Sequence, residues 1–187
     1  MTFIFEKQTL ARAYAQLASG GEDAERTAIG DFVNAFFLYY TGERQSLLDD
    51  PILMPENATE EQRGWAAFCA ACAEYFSERY DLQCPAWAHD PAYTLTEEWY
   101  HPACKVFPGL RDDAKESAPR PFKKRKVFCG DHLFVNPYPS SREPGTMAEL
   151  RRRRAEMWAQ MEPSERDADI AAYQSAMRGK PRINIVA

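Results

Sequence analysis

The stretch PRPFKKRKVFCGDHLFVNP, at residues 119–137, carries residues suited to two kinds of chemistry. Its four consecutive basic residues, and a second basic run further along, could attract the phosphates of a nucleic acid. The candidate nucleic-acid-binding residues are Lys123, Lys124, Arg125, Lys126, Arg151, Arg152, Arg153 and Arg154. No DNA-reading motif accompanies these runs, so the sequence alone supports only a non-specific contact with the nucleic-acid backbone.

A second interpretation of the basic runs is that they protect a sheet edge and pair with an acidic body. On a strand, alternate side chains point to opposite faces, so residues 123–126 cannot all follow one phosphate track. On a helix, successive residues are about 100° apart, so residues 151–154 point around the axis. Both interpretations stay open at this stage.

The second chemistry is metal binding. His101-x-x-Cys104 and Cys129-x-x-His132 form two pairs of soft ligands, a composition that suits a tetrahedral zinc site. The order of the pairs is mirrored relative to common zinc fingers, and a chain with so many core aromatics needs no metal to fold. We therefore expect no cofactor, and a zinc-stapled structural domain remains an alternative.

Other reactive patterns have structural explanations. Cys69-x-x-Cys72 resembles a redox motif in spelling, but both residues fall in the middle of an apolar helical stripe, where packing is expected. The chain has no Gly-x-Ser-x-Gly, no His-Glu-x-x-His and no Gly-rich phosphate loop. We predict that the protein is not an enzyme.

The charges are divided unevenly along the chain. Residues 1–118 hold 9 Lys/Arg and 20 Asp/Glu, a net of −11, whereas residues 119–154 hold 10 and 3, a net of +7. This division predicts either complementarity within the molecule or a dedicated basic contact surface. The start of the chain lacks the pattern of a signal peptide, and no apolar run approaches the length of a membrane span. We expect a cytoplasmic protein with no membrane partner.

The elements that must position these residues are mainly helices. Residues 7–21 predict a first helix that ends at Gly20, and residues 22–42 predict a second, with apolar residues three and four apart and Gly42 as its C-cap. A third helix begins after Thr59, and its apolar stripe includes Trp65, Phe68 and Phe76. These three helices are predicted to form the core.

The rest of the chain predicts a small sheet and an extension. Lys126–Cys129 and Leu133–Asn136 flank Gly130-Asp131 and predict a β-hairpin. The predicted fold is mainly α: a helical core domain with one hairpin at 1–136, a linker at 137–145, and a C-terminal helix pair and tail at 146–187. Leu150, Met157, Trp158 and Met161 form a narrow apolar seam on the first helix of that pair, suited to filling a partner's groove.

Several short motifs also carry a family resemblance. The segments DFVNAFFLYY, CPAWA, EEWYHP, FPGLR and APRPFKKRKVF, within residues 30–136, resemble an uncharacterised group of small bacterial proteins. The matching residues are Asp31, Phe32, Tyr39, Pro85, Trp87, Trp99, Tyr100, Leu110, Arg111, Phe122, Lys123, Arg125, Val127 and Phe128. The resemblance implies an accessory or antitoxin-like component encoded beside nucleotidyltransferase-type toxins.

These observations favour a non-enzymatic, protein-binding accessory or antitoxin-like module that holds a partner protein. A nucleic-acid-binding regulator that uses residues 123–126 and 151–154 is the alternative. A homodimer is also left open, with the C-terminal helix pair either folded onto its own body or contacting a second copy.

Overall fold

Helices make up most of the computed structural model, which describes residues 7–21, 23–102, 104, 111–130 and 135–138, with residues 156, 159–160 and 162–164. The mainly α fold class is confirmed. The helices are α1 Leu10–Ser19, α2 Ala24–Asn34, α3 Glu60–Tyr80, α4 Arg111–Ser117 and α5 Arg120–Lys123. The described part of the chain contains no helix long and apolar enough to cross a membrane.

The ends of α1 and α3 follow from local hydrogen bonding. Thr59 begins α3 with a capping box, in which its hydroxyl accepts from the backbone N–H of Gln62 and the Gln62 side chain accepts from the backbone N–H of Thr59. α1 begins at Thr9 in a similar way and ends at Gly20, whose φ of 73° is easily reached only without a Cβ. The predicted helix start at Thr59 and helix end at Gly20 are both confirmed.

α3 is the centre of the core. Every residue from Gly64 to Glu74 is buried, so the helix is enclosed on all sides along these three turns, beyond the predicted stripe. Five alanines in this stretch let α1, α5 and the 3-10 turns at Ala86–His89 and Pro91–Tyr93 pack closely against it. An alanine surface of this kind permits close backbone approach on several faces at once.

α2 continues directly into a π-helical turn at Ala35–Tyr39, which closes with a hydrogen bond from Tyr40 N to Ala35 O of 2.9 Å. The turn packs its inner rings on the end of α3: the Phe36 and Phe76 ring centroids are 4.4 Å apart. The helical path therefore ends at Tyr39, three residues before the predicted C-cap at Gly42. A π turn changes which side chains face inward, because it takes more residues per turn than an α-helix.

The small sheet differs from the predicted hairpin. The strand predicted at Lys126–Cys129 is present as β2 Val127–Phe128, but its partner is β1 Trp99–Tyr100, and the two strands are parallel. Trp99 N donates to Lys126 O and His101 N to Phe128 O, each at 2.9 Å. Of the second run of the predicted hairpin, Leu133 and Phe134 lie outside the described residues, whereas Val135 and Asn136 are described and buried.

Trp99 connects this sheet to α3. Its indole lies directly against Gly64, where an added Cβ would overlap the ring. Trp65 packs edge-on against the same indole, with ring centroids 5.0 Å apart. The linker predicted at 137–145 and the helix pair at 146–187 lie mostly outside the described residues.

Candidate functional site

The basic residues Lys123–Lys126 lie at the junction of α5 and β2, not on a strand. Lys123 ends α5, and the next three residues form a turn before β2, with Lys126 in the left-handed region at φ 59°. The four side chains consequently leave the backbone in different directions. The expected strand geometry is therefore wrong for these four residues, which lie at the end of α5 and in the turn that follows it.

Arg125 is buried, with only 2% of its surface exposed. Its Nη1 donates to Glu74 Oε2 at 2.7 Å and to Pro121 O at 2.8 Å, and its Nη2 donates to Ala88 O at 2.6 Å. A guanidinium buried in this way must be paired and hydrogen-bonded, because burying an uncompensated charge is costly. Arg125 is therefore buried inside the protein and is not the surface phosphate ligand that was expected. Its hydrogen bonds link α3, α5 and the turn at Ala86–His89.

Lys124 completes the pairing of Glu74. Its Nζ donates to Glu74 Oε1 at 2.6 Å, on the other oxygen of the same carboxylate. Burial acts to raise the pKa of Glu74, but the hydrogen bonds from Lys124 and Arg125 outweigh it and hold that pKa below its ordinary value. The acidic body and the basic segment meet here, as the complementarity interpretation of the charge division predicted.

The outer two lysines are exposed and contact backbone carbonyls. Lys123 Nζ donates to Glu116 O at 2.6 Å, and Lys126 Nζ donates to Thr96 O. Of the first basic run, Lys123, Lys124 and Lys126 thus keep access to solvent, and Lys124 does so while paired with Glu74. Nucleic-acid binding through this run stays a prediction, now without Arg125.

Two other sets of predicted residues lie outside the described residues. These are the second basic run, Arg151, Arg152, Arg153 and Arg154, and the apolar seam, Leu150, Met157, Trp158 and Met161. Nucleic-acid binding through the first set and partner binding through the second remain predictions.

Three of the four candidate zinc ligands are described. His101, Cys104 and Cys129 are all buried, and the His101 ring stands edge-on to Trp65 with centroids 5.5 Å apart. His101 Nε2 lies 3.2 Å from Glu25 Oε1, on the first turn of α2. Within the described residues, no three His, Cys, Asp or Glu side chains form a group able to hold a metal, and His132 lies outside them. A zinc-stapled structural domain therefore stays a prediction that this arrangement does not support.

The cysteine pair on α3 has the packing role predicted for it. Cys69 and Cys72 are both buried, and burial raises the pKa of Cys69 to about 12 and that of Cys72 well above its ordinary value. A buried thiol with a raised pKa is almost never a thiolate at neutral pH, so it is a poor nucleophile.

A surface that the sequence analysis did not single out lies on the π turn. Leu38 is 47% exposed and Tyr39 is 68% exposed, whereas Phe36 and Phe37 on the same turn are buried. We call Leu38 and Tyr39 the π-turn surface. The run FFLYY contains a hint of it, because five consecutive apolar residues on a helical path cannot all face the core.

Arg44 holds the π turn in place from the inside. Its Nε donates to the carbonyl of Phe36 at 2.9 Å, and its guanidinium stacks 5.0 Å from the Phe36 ring and 4.7 Å from the Tyr80 ring. Just before the turn, Tyr138 Oη donates to Asn34 Oδ1 at 2.7 Å. Leu38 and Tyr39 therefore follow a backbone segment anchored at Asn34 and Phe36, and the turn is closed after them by the hydrogen bond from Tyr40 N to Ala35 O.

Leu53, another exposed apolar residue at 84%, lies at a different place. It lines a groove of about 520 Å³ beside α1, together with Arg12, Ser46 and Pro51. The polar groups near this groove are engaged with one another: Lys7 Nζ contacts Glu43 and Ser46, and Thr9 accepts from Arg12 N. Asp50 also lines the groove and is exposed.

Comparison with known proteins found no family model, no curated protein and no solved structure that matches the chain.

Proposed function

We propose that this chain is a non-enzymatic binding module that holds a partner protein, and that the partner covers the π-turn surface. The observation that carries the proposal is the exposure of Leu38 and Tyr39 on a turn whose backbone is held by Arg44. π turns often occur at functional sites, and exposed tyrosine on a rigid backbone loses little side-chain entropy on binding. The proposal assigns no catalytic residue.

The internal pairing of the basic run also favours a protein partner over nucleic acid. Arg125 is committed to Glu74, and Lys124 shares the same carboxylate. Nucleic-acid affinity grows with the number of phosphates that basic side chains neutralise, so each residue paired internally lowers the expected affinity. From the family resemblance, we further propose that this partner is a toxin-like protein.

The test is recovery of the tagged full chain from its native host, followed by reconstitution with any purified partner. Three proteins are compared: the wild type, the double variant Leu38→Ser/Tyr39→Ser, and the matched control Leu53→Ser. All three should melt at similar temperatures, because the changed side chains are exposed. We expect one protein at fixed stoichiometry with the wild type and the control, and binding at least about tenfold weaker with the double variant.

Equal affinity of the purified partner for the double variant would contradict the proposal. Nuclease treatment tests the alternative, because recovery that disappears with nuclease would indicate nucleic-acid binding instead. For that arm, Lys123→Glu/Lys126→Glu is the appropriate variant. Lys124 is left unchanged because its loss would also disturb the buried carboxylate of Glu74.

A further inference from the structure

The exposed charges on the segments that contain and contact the π turn have one sign. Two segments adjoin it: residues 31–50, which contain the turn, and residues 76–83, whose Tyr80 ring packs 5.1 Å from that of Phe36. In these two segments every exposed charged residue is acidic: Asp31, Glu43, Asp49, Asp50, Glu78 and Asp81. Asp50 lines the groove beside Leu53 and is set apart from the other five. We call these five residues the acidic rim.

The basic residues of the same two segments are turned inward. Arg44 is buried between the rings of Phe36 and Tyr80, and Arg79 lies partly buried, 5.9 Å from the ring of Tyr75. From outside the segments, Lys7 contributes one cation, which pairs with Glu43. Asp49 accepts a hydrogen bond from Gln45 Nε2 at 2.6 Å, and Asp31, Glu78 and Asp81 are exposed.

From this arrangement we infer that the partner segment is basic and amphipathic: apolar side chains cover Leu38 and Tyr39, and flanking lysines or arginines face the acidic rim. An apolar centre with a charged rim is the usual anatomy of a specific interface, and complementary rim charges set the association rate and the choice of partner. The exposed Tyr39 ring also offers a face for a cation–π contact with an arginine or lysine. This inference rests on the proposed function and adds the chemistry of the partner to it.

The direct test uses a defined probe. A fluorescent amphipathic peptide of leucine and lysine is titrated with the full chain, beside a peptide of the same pattern in which glutamate replaces lysine. We expect the lysine peptide to bind at least about tenfold more tightly, with an advantage that shrinks as salt rises. Equal binding of the two peptides would overturn the inference.

Two charge variants locate the contact. Asp31→Lys/Glu78→Lys reverses two members of the acidic rim, and Glu56→Lys/Glu97→Lys makes the same change in net charge at exposed positions elsewhere. The first should weaken binding of the lysine peptide at least about fivefold more than the second. If both variants weaken it equally, the attraction is a general effect of net charge and the inference fails.

Two further measurements test whether another occupant, either a segment of this chain or a second copy of it, covers the π-turn surface. If replacing Arg151–Arg154 by glutamate strengthens binding of the lysine peptide, the chain's own basic segment competes for the surface, which overturns assignment to a partner. If sedimentation finds a dimer that Leu38→Ser/Tyr39→Ser disperses, the occupant is a second copy, with the same consequence.

Failure of this inference can be told apart from failure of the proposed function. A native partner that is lost with Leu38→Ser/Tyr39→Ser but unaffected by Asp31→Lys/Glu78→Lys would leave the proposed function standing and remove only the basic chemistry. A partner unaffected by either variant would remove both.

Discussion

Arg125 Nη1 lies 2.7 Å from Glu74 Oε2, and this buried contact joins the turn before β2 to the middle of α3. The residues are 51 positions apart in the chain. Because the guanidinium also donates to Pro121 O and Ala88 O, one side chain fixes three segments against the core. The basic run is thus part of what holds the fold together.

Replacing Glu74 with glutamine should destabilise the protein by about 3–5 kcal/mol at neutral pH, because the buried charge of Arg125 loses its counterion. Urea unfolding measures the change. The double variant Glu74→Leu/Arg125→Met serves as the control, and it should recover most of the loss because it removes both charges. A cost below about 1 kcal/mol for Glu74→Gln would show that the pair is not buried in solution.

The same carboxylate predicts a dependence of stability on pH. The pKa of folded Glu74 lies below its ordinary value of 4.5, so the stability it contributes is present above pH 4.5 and is lost as pH falls through the folded pKa. Unfolding free energies measured from neutral pH down into this range should fall for the wild type. They should fall less steeply for Glu74→Gln, and parallel curves would refute the assignment.

Gly64 and Gly30 form a matched pair of helical glycines. Gly64→Ala places a Cβ in overlap with the indole of Trp99 and should cost about 1–3 kcal/mol or more. Gly30→Ala, in α2, meets nothing within 4 Å and should be neutral or stabilise by up to about 1 kcal/mol through helix propensity. Chemical denaturation of both variants provides the comparison, and equal effects would contradict the close packing of Trp99 on α3.

Tyr14 and Tyr93 differ in what their hydroxyls contact. Tyr93 Oη donates to Ile52 O at 3.1 Å, whereas in the described part of the chain the buried Tyr14 Oη has no hydrogen-bond partner. Tyr93→Phe should cost about 1 kcal/mol, and Tyr14→Phe should be neutral or stabilising. Thermal unfolding of the two variants distinguishes these outcomes, and the reverse order would contradict the structure.

Tyr14 should also limit stability in alkali. Burial, with smaller contributions from Cys69 and Tyr93, raises the pKa of Tyr14 to about 12 from an ordinary 10.0. Because the folded state resists ionisation of this hydroxyl, Tyr14 leaves stability unchanged below pH 10 and lowers it as pH rises toward 12. Ultraviolet titration should show late ionisation of this residue in the wild type, and Tyr14→Phe should be less sensitive to alkali.

The thiols should react in an order set by burial. The pKa of Cys69, about 12 against an ordinary 9.0, lowers its thiolate fraction about a thousandfold at neutral pH. Cys84 is only partly buried, so it should be alkylated before Cys69 and Cys72. Iodoacetamide labelling of the native protein, followed by peptide mass spectrometry, gives the order, and early labelling of Cys69 or Cys72 would contradict the burial of α3.

The helices could be predicted because their determinants are local. Thr59 with Gln62, Gly20, and the spacing of Phe32 and Phe36 are all read within a few residues of one another. The parallel pairing of Trp99 with Val127 could not be predicted, because nothing near either strand specifies a partner so far along the chain. A turn signal at Gly130-Asp131 instead suggested a hairpin.

The candidate site was less predictable for the same reason. Arg125 looks no different from its basic neighbours in the sequence, and its burial depends on Glu74, 51 positions away. The exposure of Leu38 and Tyr39 depends on a π turn, which has no reliable sequence marker and which Arg44 stabilises through the Phe36 carbonyl.

The parallel pairing of β1 with β2 has a consequence for the order of folding. Trp99 and Val127 are 28 positions apart, and closing a loop of that length costs about 3 kcal/mol in chain entropy beyond a constant. A ladder of two residues on each strand offers too few hydrogen bonds to offset this cost alone. The strands should therefore pair late, after α3 has formed the surface on which Trp99 and Val127 are buried.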